Sequence, residues 1–393
     1  MDAPLRIHRR QALALLSAAQ SPAQIAPSSP TAADTGSLFP LIEQLARRTA
    51  AAPPLSKAEG RKLAFQSLGY IPPPVPPRPE IIDRTDFGDV IREKLVFSTT
   101  PDFRVPAYLH LPKRRPARVP AIIDLHSHGG MFIYGKEKVI DFGANYPALA
   151  EYHLRNYAGR PTATALARRG YAVLTIDAFP FGERRLMMDD DLKYGWDRSK
   201  YSVEDIQHLN TRCRQKEPAI VKSLAFAGMT WPGIVAWDDL RTVDYLVTRP
   251  EIDPARIGCC GVSLGGYRSL LLAGLDDRIA AACVVGFMST VRPMIQRHIE
   301  THSFVHFIPG LHAHLDFPDV VALRAPKPLF VLQCKKDGLF PLSGMEEAVQ
   351  KIAATYRKSG AAKAFTARFY DVPHIFNIEM QDDAFTWLDR HLK

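Results

Sequence analysis

The chain has 393 residues, 46% hydrophobic and 23% charged, a profile that lets a globular protein bury its own core without metal or disulfide staples. Fifty basic against 41 acidic side chains leave a formal charge of +9. Lys and Arg are scattered among acids, which argues against a nucleic-acid footprint.

In chain order, Arg9-Arg10 is followed by an apolar stretch, residues 12–19, and small residues up to Ala26. This resembles a twin-arginine export signal, so residues 1–26 are expected to be a signal peptide and the protein to be exported, periplasmic or secreted. The alternative is a disordered or helical tail on a cytoplasmic protein. No other stretch of 18 apolar residues occurs, so no membrane span is expected. Residues 27–85 read as a linker and N-terminal extension. They hold a Ser/Pro/Ala/Thr-rich stretch (27–35), helical patterns near 38–50 and 56–68, and a Pro-rich extended run at 71–77.

Residues 86–393 then alternate strand and helix. Strands are predicted at 90–98, 103–111, 120–125, 171–178, 256–262, 278–287, 329–333 and 365–371. Helices are predicted at 162–169, 234–249, 264–275, 346–359 and 382–392. Apolar strands between amphipathic helices predict an α/β fold with a mostly parallel central sheet, covered on both faces. Residues 180–232 and 288–326 lack a clean period and follow strand C-terminal ends. They are expected to be pocket- or lid-forming insertions.

Gly261-Val262-Ser263-Leu264-Gly265 is a G-x-S-x-G sequence between a predicted strand and a predicted helix. That turn is sharp enough to need glycine on both sides, and it lifts the serine hydroxyl clear of the sheet edge. Ser263 is therefore the expected nucleophile, and the N–H of Leu264 an oxyanion donor. A serine needs a base. His374 follows the last predicted strand and Asp337 the strand before it, giving the order Ser, Asp, His with all three at one sheet edge. Asp371 and Asp319 are alternative acids. The second oxyanion donor is expected from His126-Ser127-His128-Gly129-Gly130, at the N–H of His128 or else Gly129.

Two histidine sets invite a metal reading, His126 with His128, and His298, His302 and His306 at helical spacing. Neither comes with a full ligand set, so no metal is expected. A polar pocket wall or helix surface is the favoured reading of the second set. His126, Arg184 and Trp231 are candidate pocket residues. Cys259, Cys260, Cys283 and Cys334 lie in apolar runs and read as free core thiols, with Cys213 outside them.

Several motifs resemble the acetyl xylan esterase and dienelactone-hydrolase-like branch of the α/β-hydrolases. They are Trp237-Asp238-Asp239, Arg249-Pro250-Glu251-Ile252-Asp253, Gly261 to Gly266, His126 to Gly130 with Gly135-Lys136-Glu137-Lys138, Phe181-Gly182-Glu183-Arg184, Pro309-Gly310-Leu311, and Pro373 to Asn377. The resemblance spans roughly residues 40–393. It implies the α/β-hydrolase fold and hydrolysis of short acyl esters, small-molecule or carbohydrate, without a cofactor. Ser263 stands where dienelactone hydrolases carry Cys. His126-Ser127-His128 and His374-Ile375 stand where acetyl xylan esterases carry Arg-Gly-Gln and His-Glu, so xylan specificity does not transfer. A serine peptidase and a non-catalytic binding protein are the competing function classes, and the oligomeric state is not legible.

Overall fold

The computed structural model describes residues 38–51, 55–187, 197–295 and 298–393. The export-signal region, the 27–35 linker and part of each insertion lie outside the described residues. Residues 42–393 form one compact unit.

Among the described residues, nine strands build one sheet, β1 (Glu80–Asp86), β2 (Val90–Ser98), β3 (Arg104–Pro112), β4 (Val119–Leu125), β5 (Ala172–Ile176), β6 (Ile252–Val262), β7 (Ile279–Val285), β8 (Leu329–Cys334) and β9 (Phe365–Tyr370). Their order is β1-β2-β3-β5-β4-β6-β7-β8-β9. The first three and β5 pair antiparallel, and every pairing from β5–β4 onward is parallel. β1 crosses the boundary expected at residue 85. It extends the sheet edge because the Pro-rich run leads the chain alongside β2.

Among the described residues, ten α-helices complete the architecture: α1 (Leu38–Ala51), α2 (Lys57–Leu68), α3 (Pro147–Tyr157), α4 (Thr162–Arg168), α5 (Val203–Phe226), α6 (Trp231–Leu246), α7 (Leu264–Leu275), α8 (Phe317–Ala322), α9 (Leu342–Lys358) and α10 (Ile378–Leu392). Strand alternation separates two cores. Ala121, Ile123 and Leu125 of β4 pack with α6 and α7 side chains such as Val243, Leu264 and Leu270. Ile122, between them, faces the other layer with Leu166 of α4 and Met380 and Leu388 of α10. All five cysteines are buried, Cys213 included, because α5 turns it inward.

A buried ion pair and a buried carboxyl shape this scaffold. Arg268 of α7 donates from Nε and Nη2 to the carboxylate of Asp239 on α6, at 2.9 and 2.6 Å, with both side chains essentially without solvent. Removing one partner strands the other charge in the core. Asp239→Ala is expected to cost about 3–5 kcal/mol in denaturant unfolding. Asp124, on β4, accepts a hydrogen bond from the Thr162 hydroxyl (2.6 Å), and burial pushes its carboxyl up to about 7. The folded chain thus holds this proton more tightly than the unfolded one, whose carboxyl titrates near ~4. Its contribution to stability falls as pH rises between those values. Asp124→Asn should therefore raise the unfolding midpoint more at pH ~8.5 than at pH ~5. Parallel pH curves for the two proteins would refute the assignment.

Candidate active site

The turn from β6 into α7 carries Ser263. Its backbone sits at φ 60°, ψ −121°, outside the regions that L-residues prefer. Two hydrogen bonds hold it there, the Ser263 N–H to the Val285 carbonyl (2.9 Å) and the Tyr267 N–H to the Ser263 carbonyl (2.9 Å). The flanking glycines are sterically required. A Cβ on Gly265 would lie 1.8 Å from the Leu125 carbonyl oxygen, and one on Gly261 2.4 Å from it. Backbone cannot retreat as a flexible side chain can, so neither position accepts alanine. Leu264 opens α7, and its N–H has no acceptor inside the helix.

Asp337 follows β8 and His374 follows β9. The structure brings them together. The His374 Nδ1–H donates to Asp337 Oδ2 at 2.6 Å, and Asp337 Oδ1 accepts the Leu339 N–H at 2.8 Å. The Asp337 side chain is fully buried and the imidazole one-fifth exposed. A proton on Nδ1 leaves Nε2 with its lone pair, and Nε2 is buried without a partner among the described residues. His374 and Ser263 line one cavity of about 400 Å³. The alternative acids are elsewhere. Asp371 pairs with Lys336 at the surface (2.8 Å), and Asp319 caps α8 and pairs with Lys351 (2.6 Å).

The 126–130 loop forms another wall of the cavity. His128 Nδ1 accepts the Gly130 N–H (3.0 Å), so Nε2 carries the proton and faces Glu217 Oε1 at 3.2 Å. His126 is fully buried behind the loop. Its Nε2 accepts the Ala178 N–H (3.1 Å), so Nδ1–H donates to the Ser127 carbonyl (3.0 Å). Burial lowers the pKa of both rings. With their nitrogens spoken for, His126 and His128 do not act as a metal pair.

Three of the expected pocket residues are placed differently. His126 supports the loop from behind rather than touching the cavity. Arg184 pairs with buried Asp238 (2.6 Å) and the Asp177 carbonyl, and Trp231 is buried with its indole N–H on the Phe179 carbonyl (2.7 Å). Neither lines the cavity. Both side chains satisfy internal groups that would otherwise be buried and unpaired.

The two insertions supply the remaining walls. Helix α5 contributes Arg214, Glu217 and Pro218, and residues 300–306 contribute His302 and His306. Glu217 ties them together, accepting from the Ser303 hydroxyl at 3.0 Å as well as facing His128. His298, His302 and His306 do not share a helix face as their spacing suggests. Two short 3₁₀ turns, Ile299–Thr301 and Phe304–His306, are separated by extended backbone at His302. Among the described residues, the one carboxylate group close enough to hold a metal is Glu137, Asp177 and Glu183. The Lys136 ammonium already sits there, 2.7–3.2 Å from all three.

The model of the abhydrolase family Abhydrolase_7 matches residues 61–381. The "Putative hydrolase YtaP" of Bacillus subtilis (strain 168) is 27% identical over 337 residues, covering 86% of this chain and all of that protein. Two solved structures share the fold. A "putative acetyl xylan esterase" from Bacteroides fragilis NCTC 9343 superposes with TM-score 0.63 at 20% identity, over 85% of this chain and 82% of the other. A glucuronoyl esterase from Solibacter usitatus gives TM-score 0.58 at 14% identity, over 86% and 92%.

Proposed function

Because the chain belongs to the abhydrolase family and is an α/β-hydrolase, we propose that it is a serine-dependent carboxylic ester hydrolase acting on short acyl esters through an acyl-enzyme. The observation that carries this reading is the pairing of His374 Nδ1–H with buried Asp337, which leaves a bare Nε2 in the cavity that holds Ser263. In this mechanism Ser263 attacks the acyl carbon while His374 Nε2 takes its proton. Asp337 fixes the imidazole tautomer and stabilises the imidazolium. The N–H groups of Leu264 and His128, with Gly129 beside them, stabilise the oxyanion. His374 then returns the proton to the leaving alcohol, and water releases the acid by the same steps. The esterase names of the structural neighbours favour an ester, carbohydrate esters among them. The resemblance of residues 1–26 to a twin-arginine signal supports reading the enzyme as exported.

The test is turnover of p-nitrophenyl esters from acetate to octanoate, together with mass spectrometry after treatment with a p-nitrophenyl phosphonate. We expect acetate to be hydrolysed and the phosphonyl mass to appear on the peptide containing Ser263. Labelling of another residue, or no ester turnover, would overturn the reading.

A further inference from the structure

Three imidazole nitrogens in the cavity wall have no role in the mechanism. His306 is 6% exposed, and neither its Nδ1 nor its Nε2 has a hydrogen-bond partner among the described residues. His302 donates Nδ1–H to the His298 carbonyl (2.6 Å), which leaves its Nε2 as a lone-pair acceptor, also buried and unpartnered. Both residues line the cavity with Ser263 and His374. The His306 ring is held rigidly. It stacks on Phe287 (centroids 5.0 Å apart, 29° between planes) and meets Tyr267 edge-on at 5.2 Å.

We propose that His302 and His306 form a hydrogen-bonding subsite for hydroxyl groups of the ester substrate, so that the enzyme selects polyhydroxylated esters over apolar ones. This rests on the esterase reading and names the substrate class of the same site.

Elimination supports the chemistry. Burial lowers the pKa of both imidazoles, so both are neutral near pH 7; His306 then offers one donor and one acceptor, and His302 one acceptor. A hydroxyl is the ligand group that also donates and accepts. An anion would need a buried cation, and the Lys or Arg lining this cavity among the described residues is Arg214, which is exposed. An alkyl chain would leave three buried nitrogens unsatisfied, at about 1–3 kcal/mol each. A metal is disfavoured, since these nitrogens are not part of any set of three ligand atoms that converge on a point among the described residues.

Glycerol monoacetate and propyl acetate form the test pair. They share the acetyl group and the three-carbon alcohol, and differ by two hydroxyls. The quantity read is the ratio of their kcat/KM values within each protein. In the wild type the ratio should favour glycerol monoacetate by about ten- to a hundredfold. It should fall close to one in His306→Phe and be partly restored in His306→Gln, which again offers a donor and an acceptor. A wild-type ratio near one, or a ratio unchanged in His306→Phe, would overturn the subsite. Should the wild type hydrolyse neither ester, the esterase reading fails, and the subsite is read by binding. Saturation-transfer NMR of glycerol monoacetate on Ser263→Ala should show contact that disappears in Ser263→Ala/His306→Phe. No contact with Ser263→Ala would sink it.

Discussion

Ser263→Ala and His374→Ala should each lower kcat by about 10⁶-fold, and the double variant should cost no more than either alone. On the proposed mechanism the nucleophile and its base act as one unit. Without the bare Nε2 of His374 the hydroxyl keeps its proton, and without the hydroxyl the base has nothing to activate. Asp337 acts one step back, so Asp337→Asn should cost less, about 10⁴-fold, by losing hold of the tautomer that keeps Nδ1 protonated. Alanine at 263 keeps the same strained backbone, so unfolding midpoints should change little, and kinetics at saturating p-nitrophenyl acetate can be read without a folding correction. Residual turnover of even ~1% in Ser263→Ala would remove Ser263 as nucleophile. Additive losses in the double variant would show that the two residues act independently.

Much of this site was legible because strand-to-loop positions are written in local patterns. Ser263 is found from the glycines on either side of it, and the structure supplies the reason in the Leu125 carbonyl that any Cβ would strike. Asp337 follows the fully buried strand β8 and His374 the partly exposed edge strand β9, and parallel pairing of β7, β8 and β9 brings those strand ends to one edge. The walls were less legible. Helix α5 was hidden in a stretch read as aperiodic, partly because Pro218 interrupts it and its faces mix charge with small apolar groups. Its start was nevertheless marked, since Ser202 and Asp205 form a capping box. Glu217 carried no such mark. Its importance comes from a contact with His128, 89 residues away. Arg184 and Trp231 were chosen for chemical capacity, and a buried ion pair and a backbone carbonyl consume that capacity. A sequence states what a side chain can bind. It does not state which internal group claims it first.

Lys138→Met should lower kcat by about 10²–10³-fold with KM nearly unchanged, although Lys138 does not line the cavity. Its amine group is fully buried and donates to two successive carbonyls, Ser127 at 2.8 Å and His128 at 3.0 Å. The Phe181 ring supports it from 4.2 Å. Burial pulls the pKa of this amine well down, against the attraction of Asp177 and Glu137. In a trans peptide the C=O and N–H point to opposite sides. Two carbonyls held on Lys138 therefore turn the N–H groups of His128 and Gly129 away from it. On the proposed mechanism this one buried amine thus aims both oxyanion donors, and its hydrogen bonds to their peptide groups strengthen them. Methionine keeps the length and apolar stem but releases the carbonyls. The loss should appear where negative charge develops, so affinity for a boronic acid that mimics the tetrahedral intermediate should fall in step with kcat. A rise in KM at constant kcat, or a loss of stability without loss of boronate affinity, would reduce Lys138 to a structural strut.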